Sequence, residues 1–262
     1  MADQTADEAG PDAGGRLTRL TRRMVDWFYP PQCLACGSPV ERAPSLCAKC
    51  WPQLRRITAP MCPILGLPFE YDLGPGALSA EAIAEPPDFD WARAAVIYNE
   101  VAQQLVSRLK YADHHELAPF MAGLMADAAR DRVNSDTLFV PVPLHRRRQW
   151  HRRFNQSALL ARWLARHFSA QMETGLVFRK RATRQQVGLS ANQRAENVRA
   201  AFEVDPQKAV QLAGRQVILV DDVLTTGSTA GAISRVLGKA GMGEIGVLTF
   251  ARVVTGGGND IY

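Results

Sequence analysis

The segment VILVDDVLTTGSTA, residues 217–230, restricts the folds open to this chain more than any other feature. Its four apolar residues, Val217–Val220, predict a strand that is buried on both faces. Asp221 and Asp222 then emerge at the end of this strand, and the turn that follows runs into a helical pattern. Such a unit is typical of parallel sheets, whose ligands bind beyond the carboxyl ends of the strands.

Beyond about residue 90, the chain repeats this alternation of strand and helix patterns. Strands are predicted at ARAAVIY, TLFVPVP, QVILV and IGVLTFARV, and helices at VAQQLVSRLKY, LAPFMAGLMADAAR, NQSALLARWLARHF and TAGAISRVLGKAG. Apolar strands that are separated by helices imply a parallel sheet covered on both faces. We therefore predict an α/β fold with a site at one edge of its sheet.

The turn after the two aspartates has the composition of an anion-binding site. A flexible glycine allows a tight backbone, and helix N-terminal amides together with hydroxyls suit one phosphate monoester. The adjacent carboxylates accept hydrogen bonds from vicinal hydroxyls, so a ribose 5-phosphate group satisfies both halves. The predicted phosphate ligands are Thr225, Thr226, Gly227, Ser228 and Thr229.

Other phosphate-binding loops do not account for this segment. The Gly-Lys pair of a Walker loop is absent, and so is the GxGxxG pattern. The plainer alternative is an aspartate cap with a Ser/Thr turn that merely starts a helix, although one cap residue would suffice for that. We favour the sugar-phosphate site.

The cysteines predict a metal site in the N-terminal part of the chain. All five lie between Cys33 and Cys62, and four of them form two CxxC pairs, Cys33 with Cys36 and Cys47 with Cys50. Two such pairs supply the four thiolates that structural Zn²⁺ prefers, and a reducing cytoplasm disfavours the alternative of disulfides. Cys62 stands alone, and a buried thiol is its simplest interpretation.

Composition divides the chain into five parts. Residues 1–15 are predicted to be a disordered tail, 16–65 an amphipathic helix with the zinc segment, 66–90 a linker rich in Gly, Pro and acids, 91–254 the sheet domain, and 255–262 a second tail. The helix, within RLTRLTRRMVDWF, packs on its neighbour or, alternatively, faces a membrane surface or DNA.

The distribution of charge indicates what kind of partner the protein binds, and the hydropathy indicates its cellular compartment. The net charge of +5 is concentrated in HRRRQWHRR, residues 145–153, and in residues 179–194, which contain no acid. Phosphates or nucleic acid are the expected partners, and composition does not separate them. Because no apolar run approaches the ~18 residues of a membrane span and the N-terminus is acidic, we expect a cytoplasmic protein.

At these motifs the sequence resembles the type I phosphoribosyltransferases, whose loop for 5-phosphoribosyl 1-pyrophosphate (PRPP) has four apolar residues, two acids and a Thr/Gly-rich turn. From about Trp27 to Val253 it is similar to the ComF family, also called competence protein F or GntX-like, which joins a zinc ribbon to a phosphoribosyltransferase domain. Four further stretches carry this resemblance: FYPPQCLACG, LKYADHHELA, VPVPLHRRRQWHRRFNQS and RKRATRQQVGLSANQRAENVRAAF.

The resemblance implies roles for the aspartates and for several basic residues. Asp221 and Asp222 would bind the ribose hydroxyls of PRPP, residues 225–229 its 5-phosphate, and Mg²⁺ would bridge ribose and pyrophosphate. The pyrophosphate would lie near Lys110 and Tyr111, or near Arg146, Arg147 and Arg148. The segment 184–197 resembles a mobile cover, and its Gln185, Gln186, Arg194 and Asn197 would reach a ligand or be only polar loop residues.

One departure from the family concerns a second metal site. Family members often continue with another CxxCG where this chain reads CPILG, so Leu65 occupies the expected cysteine position. A second zinc site is therefore in doubt, and Cys62 lacks its partner.

Three functions remain open at this point. The first is an enzyme in which an unknown acceptor displaces pyrophosphate from PRPP, with His114, His115 or a carboxylate as the candidate base. The second is a DNA-binding protein that acts with the competence machinery in uptake of single-stranded DNA. The third is a sensor that binds PRPP without turnover. Neither the acceptor nor the oligomeric state follows from the sequence.

Overall fold

The predicted strands and helices of the sheet domain are present in the computed structural model, which describes residues 30–110, 116–143, 155–179 and 201–254. The strands are β1 (Trp91–Ile97), β2 (Leu138–Pro141), β3 (Gln171–Met172), β4 (Val177–Arg179), β5 (Phe202–Val204), β6 (Val217–Leu224) and β7 (Ile245–Arg252). The helices are α1 (Ala80–Ala84), α2 (Glu100–Leu109), α3 (Leu117–Ala128), α4 (Gln156–His167), α5 (Pro206–Gln211) and α6 (Ser228–Lys239).

Five short elements add to those that the sequence predicts: α1, β3, β4, β5 and α5. Each has six residues or fewer, which is too short for an apolar period to be recognised. The predicted amphipathic helix and both predicted tails lie outside the described residues. None of the helices within the described ranges is long and apolar enough to span a membrane.

Five strands form one parallel sheet in the order β1-β7-β6-β2-β3, while β4 and β5 make a separate antiparallel pair. From β2 the chain continues to β3 on one side, and from β6 it continues to β7 on the other. The direction of winding therefore reverses between β2 and β6. In open parallel sheets a crevice forms at such a reversal, outside the carboxyl ends of the strands, and ligands bind there.

The sheet is covered on both faces, as its apolar strands predict. Ile218 and Val220 belong to a core that includes α2, α3 and α4. Val217 and Leu219 belong to a second core that includes α1 and α6. The alternation of side chains along β6 therefore divides a single apolar run between two cores.

The cysteine segment closes one edge of this sheet. Residues 55–57 lie antiparallel to the edge strand β1: Ile57 donates its backbone N–H to Ala95 O at 3.0 Å, and Ile97 donates to Arg55 O at 2.8 Å. These bonds occupy the backbone groups that an edge strand would otherwise expose. On the same side, Arg108 of α2 donates to Leu34 O at 3.3 Å.

The segment that the sequence predicts as a linker, residues 66–90, packs in part on the sheet domain. Its helix α1 is capped by Ser79, whose Oγ accepts from Ala82 N at 3.3 Å. Leu67 and Phe89 are buried in the second core, although Tyr71 is 73% exposed. Its Gly and Pro residues thus mark turns as well as exposed chain. The domain boundaries themselves stay predictions.

Candidate functional site

The two aspartates lie within strand β6, which corrects the prediction that the strand ends at Val220. Hydrogen bonding to β7 continues through Asp221, which pairs with Thr249, to Leu224, which pairs with Arg252. The sequence prediction fails here because it places the strand end where polarity changes. Pairing continues instead for as long as the neighbouring strand does.

The turn after β6 leaves the start of α6 open. Gly227 is the N-cap residue with φ 77°, a left-handed conformation that favours glycine, and no side chain caps the helix. The hydroxyls of Thr226 and Ser228 lie 2.8 Å apart, and both residues are exposed, as are Thr225 and Thr229. This geometry does not favour a simple helix cap, since the N-cap residue has no side chain and the one hydroxyl that reaches a first-turn amide, Thr226 Oγ1, accepts from Ser228 N at a long 3.4 Å. Uncapped amides at a helix N-terminus are the groups that bind a phosphate.

Asp221 is held from the opposite side of the crevice by a residue that the sequence analysis missed. Ser157, in the first turn of α4, donates its hydroxyl hydrogen to Asp221 Oδ1 at 2.9 Å. The backbone N–H of Asp222 donates to the same oxygen at 2.9 Å. Ser157 is 2% exposed, so this bond is shielded from water. The arrangement fixes the orientation of the Asp221 carboxylate.

Asn155 positions this serine. Its Oδ1 caps α4 by accepting from Ser157 N at 3.0 Å, and its Nδ2 donates to Val142 O, at the end of β2, at 3.2 Å. Val142 in turn donates its N–H to Val220 O at 2.9 Å. The start of α4 is thereby attached to both strands at the winding reversal. An Asn-x-Ser start of a predicted helix at this edge is the signal that would have found Ser157.

The acidity of Asp221 follows from this environment. Burial, followed by the neighbouring charge of Asp222, raises the pKa of Asp221 to about 7, although the hydrogen bond from Ser157 opposes the shift. Two carboxylates this close favour a shared proton. Sugar hydroxyls or a cation at the site would favour the fully ionised pair.

The remaining predicted ligands are less well defined. Lys110 follows α2 as its C-cap residue, and no hydrogen bond or ion pair between described residues joins it to the turn at 225–229. Arg146, Arg147 and Arg148 lie outside the described residues. The same holds for Tyr111, His114, His115, Gln185, Gln186, Arg194 and Asn197. Their roles stay predictions.

The two CxxC pairs converge on one point. The sulfur atoms of Cys33, Cys36, Cys47 and Cys50 all lie within 4.8 Å of one another, and those of Cys36 and Cys47 are 3.7 Å apart. A tetrahedral zinc ion with bonds of about 2.3 Å separates its ligand sulfurs by about 3.8 Å. The four side chains therefore fit a structural Zn²⁺.

The surroundings of Cys36 and Cys50 shift the pKa values of these two thiols in opposite directions. A hydrogen bond with Ser38 is the main cause that lowers the pKa of Cys36 to about 6, whereas burial raises the pKa of Cys50 to about 12. Without a positive charge, four thiolates at this spacing repel one another. Zinc supplies that charge and allows all four to ionise.

Two segments of the chain share one backbone conformation, a tight turn after a cysteine that we call a knuckle. The first knuckle contains Cys33 and Cys36, and the second contains Cys62. Residues 31–39 read PQCLACGSP and residues 60–68 read PMCPILGLP, so proline, cysteine and glycine recur at the same positions. The hydrogen bonds also correspond: Cys33 N to Ser38 O (2.7 Å) with Cys62 N to Leu67 O (2.8 Å), and Gly37 N to Cys33 O (3.0 Å) with Gly66 N to Cys62 O (2.8 Å).

The second knuckle lacks the ligands of a zinc site. Leu65 stands where Cys36 stands in the first, and it is buried beside Cys62 in the second core. Within the described ranges, the cluster around Cys36 is the only group of three or more candidate metal ligands. An apolar side chain has taken the place of a zinc ligand, and packing keeps the knuckle folded.

Comparison with known families finds two domains in this chain. The model of the Double zinc ribbon domain matches residues 24–82, and that of the Phosphoribosyl transferase domain matches residues 155–261. The first match spans both knuckles, and the second spans Ser157, Asp221 and the turn at 225–229. The expected combination of zinc ribbon and phosphoribosyltransferase fold is therefore confirmed.

Relatives match over almost their whole length. Competence protein F of Haemophilus influenzae is 32% identical over 231 residues, 86% of this chain and 98% of that protein. The DNA utilization protein YhgH of Escherichia coli is 30% identical over 233 residues, again 86% of this chain and 98% of that protein.

A solved structure shows a weaker likeness. The hypoxanthine phosphoribosyltransferase from Staphylococcus aureus is 14% identical, with a TM-score of 0.33 over 56% of this chain and 70% of that one. No functional argument follows from similarity at this level. The match to Competence protein F is much stronger, because the identity is 32% and nearly the whole of that protein is covered. It shows that this chain belongs to the ComF/YhgH family of competence and DNA utilization proteins.

Proposed function

We propose that this protein binds PRPP with Mg²⁺ and transfers its phosphoribosyl group to an acceptor. The observation that carries the proposal is the carboxylate of Asp221, fixed by Ser157 in the carboxyl-terminal half of β6, the strand that leads into a helix N-terminus whose N-cap residue has no side chain. The carboxylate suits vicinal hydroxyls, and the helix N-terminus suits a phosphate monoester. PRPP carries both groups on one ribose.

The residues of the chain act by holding the sugar. The amides and hydroxyls of residues 225–229 bind the 5-phosphate, and Asp221 and Asp222 accept hydrogen bonds from the ribose hydroxyls. Mg²⁺, when bound with PRPP, neutralises charge on the leaving pyrophosphate. The family resemblance gives Lys110 and Arg146–Arg148 as the candidates for holding that pyrophosphate.

The reaction is a displacement at the anomeric carbon. The bond from this carbon to pyrophosphate breaks, and the leaving group takes the electron pair. A bond to the acceptor atom forms, and the acceptor proton passes to a base. Because no protein nucleophile is required, catalysis depends on positioning and on electrostatic stabilisation of a cation-like transition state. This role suits rigid side chains such as Asp221, which a buried serine orients.

Calorimetric titration of PRPP with Mg²⁺ into the full chain tests the proposal. The unmutated protein is expected to bind, and the double variant Asp221→Asn, Asp222→Asn is expected to lose binding. Asp136→Asn, an exposed aspartate before β2, is the matched control and should bind normally. Failure of the unmutated protein to bind would overturn the sugar-phosphate proposal. Release of pyrophosphate with candidate acceptors then separates an enzyme from a sensor that binds without turnover.

A second candidate function, binding of single-stranded DNA in competence, rests on a different surface. Trp51 follows the second CxxC pair, is 48% exposed and packs edge-to-face on Phe120 at 6.5 Å. Lys49 and Arg55, close by in sequence, are exposed. An aromatic side chain beside cations is a platform for bases and phosphates. The names of the relatives, competence and DNA utilization, support this candidate.

The salt dependence of oligo-dT binding tests this second function. Affinity should fall as salt rises, since each phosphate contact releases counterions, and Trp51→Ala should weaken binding about tenfold. Tyr71→Ala, which removes another exposed aromatic ring, is the matched control. Binding that is absent, or equal in the Trp51 variant, would rule out this surface.

A further inference from the structure

The short segment 85–90, between α1 and β1, brings an aromatic ring to the turn that is proposed to bind the 5-phosphate. This ring belongs to Phe89, which is 5% exposed and lies in the second core. A Cβ added at Gly227 would lie 3.7 Å from Cε1 of Phe89 and 3.9 Å from its Cζ, and the next nearest atom is Leu224 Cδ1 at 3.9 Å. The ring therefore packs against the N-cap residue of α6.

The rest of the turn has less support from below. A cavity of about 440 Å³ borders Thr225–Ser228, and its other walls include Leu65 and Leu67 of the second knuckle. The second knuckle therefore does not fill the space beside the turn. Phe89 also lines this cavity, and it is the residue of the segment 85–90 whose side chain reaches Gly227.

The residues on either side of Phe89 attach it to two elements of the fold. Asp88 pairs with Arg235 of α6, whose Nε donates to Asp88 Oδ1 at 3.2 Å and whose Nη2 donates to Asp88 Oδ2. Asp90 donates its N–H to Ile245 O, at the start of β7, at 2.9 Å, and its Oδ2 accepts from Ile245 N at 2.7 Å. Because both neighbours are bonded to regular elements, the backbone of Phe89 has little freedom to move.

Gly227 needs such a contact, because its own conformation is weakly restrained. Its φ of 77° is one of many conformations open to glycine, and no side chain caps the helix that it begins. Its carbonyl accepts a hydrogen bond from Gly231 N at 2.8 Å, so its orientation is coupled to that of the first turn of α6. A ring packed on this residue removes conformations that a phosphate would otherwise have to select.

We propose that Phe89 is a positioning residue of the 5-phosphate site, where its ring holds Gly227 and the open amides of α6 in the conformation that receives a phosphate. This inference rests on the proposed function and deepens it. It gives a role to a segment that the sequence predicts as part of a linker and that lies outside both family matches. Donors that are fixed in advance bind their ligand without a cost of reorganisation.

Calorimetric titration of ribose 5-phosphate into the full chain tests this role. Phe89→Ala is expected to weaken binding about tenfold, because the amides of the turn lose their alignment. The affinity for pyrophosphate with Mg²⁺ should not change, since the residues proposed to hold pyrophosphate do not belong to the turn. Met242→Ala is the matched control, because Met242 is a buried residue of the same core beyond the carboxyl end of α6. It should bind ribose 5-phosphate normally.

A conservative variant keeps the test decisive if Phe89→Ala fails to fold. Phe89→Leu retains an apolar side chain without the flat ring and should lose about threefold in affinity for ribose 5-phosphate. Unchanged affinity in the folded Phe89 variants, or an equal loss for ribose 5-phosphate and pyrophosphate, would overturn the role of Phe89 alone. Failure of the unmutated protein to bind ribose 5-phosphate would instead overturn the proposed function, and this inference with it.

Discussion

The hydroxyl of Ser157 donates a 2.9 Å hydrogen bond to Asp221 Oδ1 and so joins the start of α4 to the carboxyl-terminal half of β6. The two residues come from elements that flank the point where the winding of the sheet reverses. One short bond thus fixes the carboxylate that the proposed function needs most. It also explains in part why the pKa of this aspartate, though raised, is not raised further.

Ser157→Ala is expected to weaken PRPP binding about tenfold, because the partly buried carboxylate of Asp221 loses a hydrogen bond that favours its ionised form. The pH at which binding reaches half its maximum should also rise. Calorimetric titration from about pH 6 to about pH 9 measures both effects. The control is Ser234→Ala, a buried serine of α6 whose hydroxyl has no partner among the described residues. Equal affinities in the two variants would contradict the proposed role of Ser157.

The stability of the protein should fall as pH rises through about 7, because of Asp221. Its pKa is raised from 3.8 to about 7 on folding, so the folded state holds this proton more tightly than the unfolded state does. The resulting stabilisation is complete below about pH 4 and is lost as the pH passes about 7. Its size is on the order of a few kcal/mol.

Urea unfolding at about pH 5 and about pH 8 tests this dependence. Asp221→Asn should reduce the difference in unfolding free energy between the two pH values, and it should be more stable than the unmutated protein at the higher pH. Asp136→Asn, an exposed aspartate, corrects for general charge effects. An unchanged pH dependence in the Asp221 variant would show that burial does not control this proton.

Removal of one zinc ligand should release the metal and destabilise the protein. Cys47→Ser is expected to reduce the zinc content from about one ion per chain to near zero, whereas Cys62→Ala should keep it, because Cys62 lies in the second knuckle. Metal analysis of the purified variants decides the matter. Zinc loss in the Cys62 variant would show that the second knuckle also contributes a ligand.

The two corresponding knuckle glycines should respond differently to alanine. Both have positive φ, 78° at Gly37 and 64° at Gly66, so each substitution costs about 1–2 kcal/mol from the backbone alone. A Cβ at Gly66 would also lie 2.4 Å from Ala92 O, whereas the nearest atom at Gly37 is a side-chain nitrogen at 3.6 Å. Urea unfolding should therefore show a clearly larger loss of stability for Gly66→Ala. Equal losses would mean that the packing of the second knuckle against β1 is loose.

Local sequence patterns determined most of the secondary structure of this protein and the position of its candidate sites. The apolar strands, the helices between them and the turn at 225–229 follow from periodicity and composition, which act over a few residues. The spacing of the CxxC pairs predicts a metal cluster, and the four sulfurs converge as expected. The resemblance to a family predicted the phosphoribosyltransferase fold and the ligands of the site, and the family comparisons confirm the fold.

Only the tertiary structure brought distant residues to the same place. Ser157 is 64 positions from Asp221, and Arg252 is 187 positions from the carbonyl of Leu65 that it binds. The order of the strands decides such encounters, and no local period encodes it. The end of β6 was likewise set by its pairing with β7 rather than by its own composition. Short-range patterns fix which residues form a strand or a turn, whereas long-range packing decides which side chains share a site and which charges are buried there.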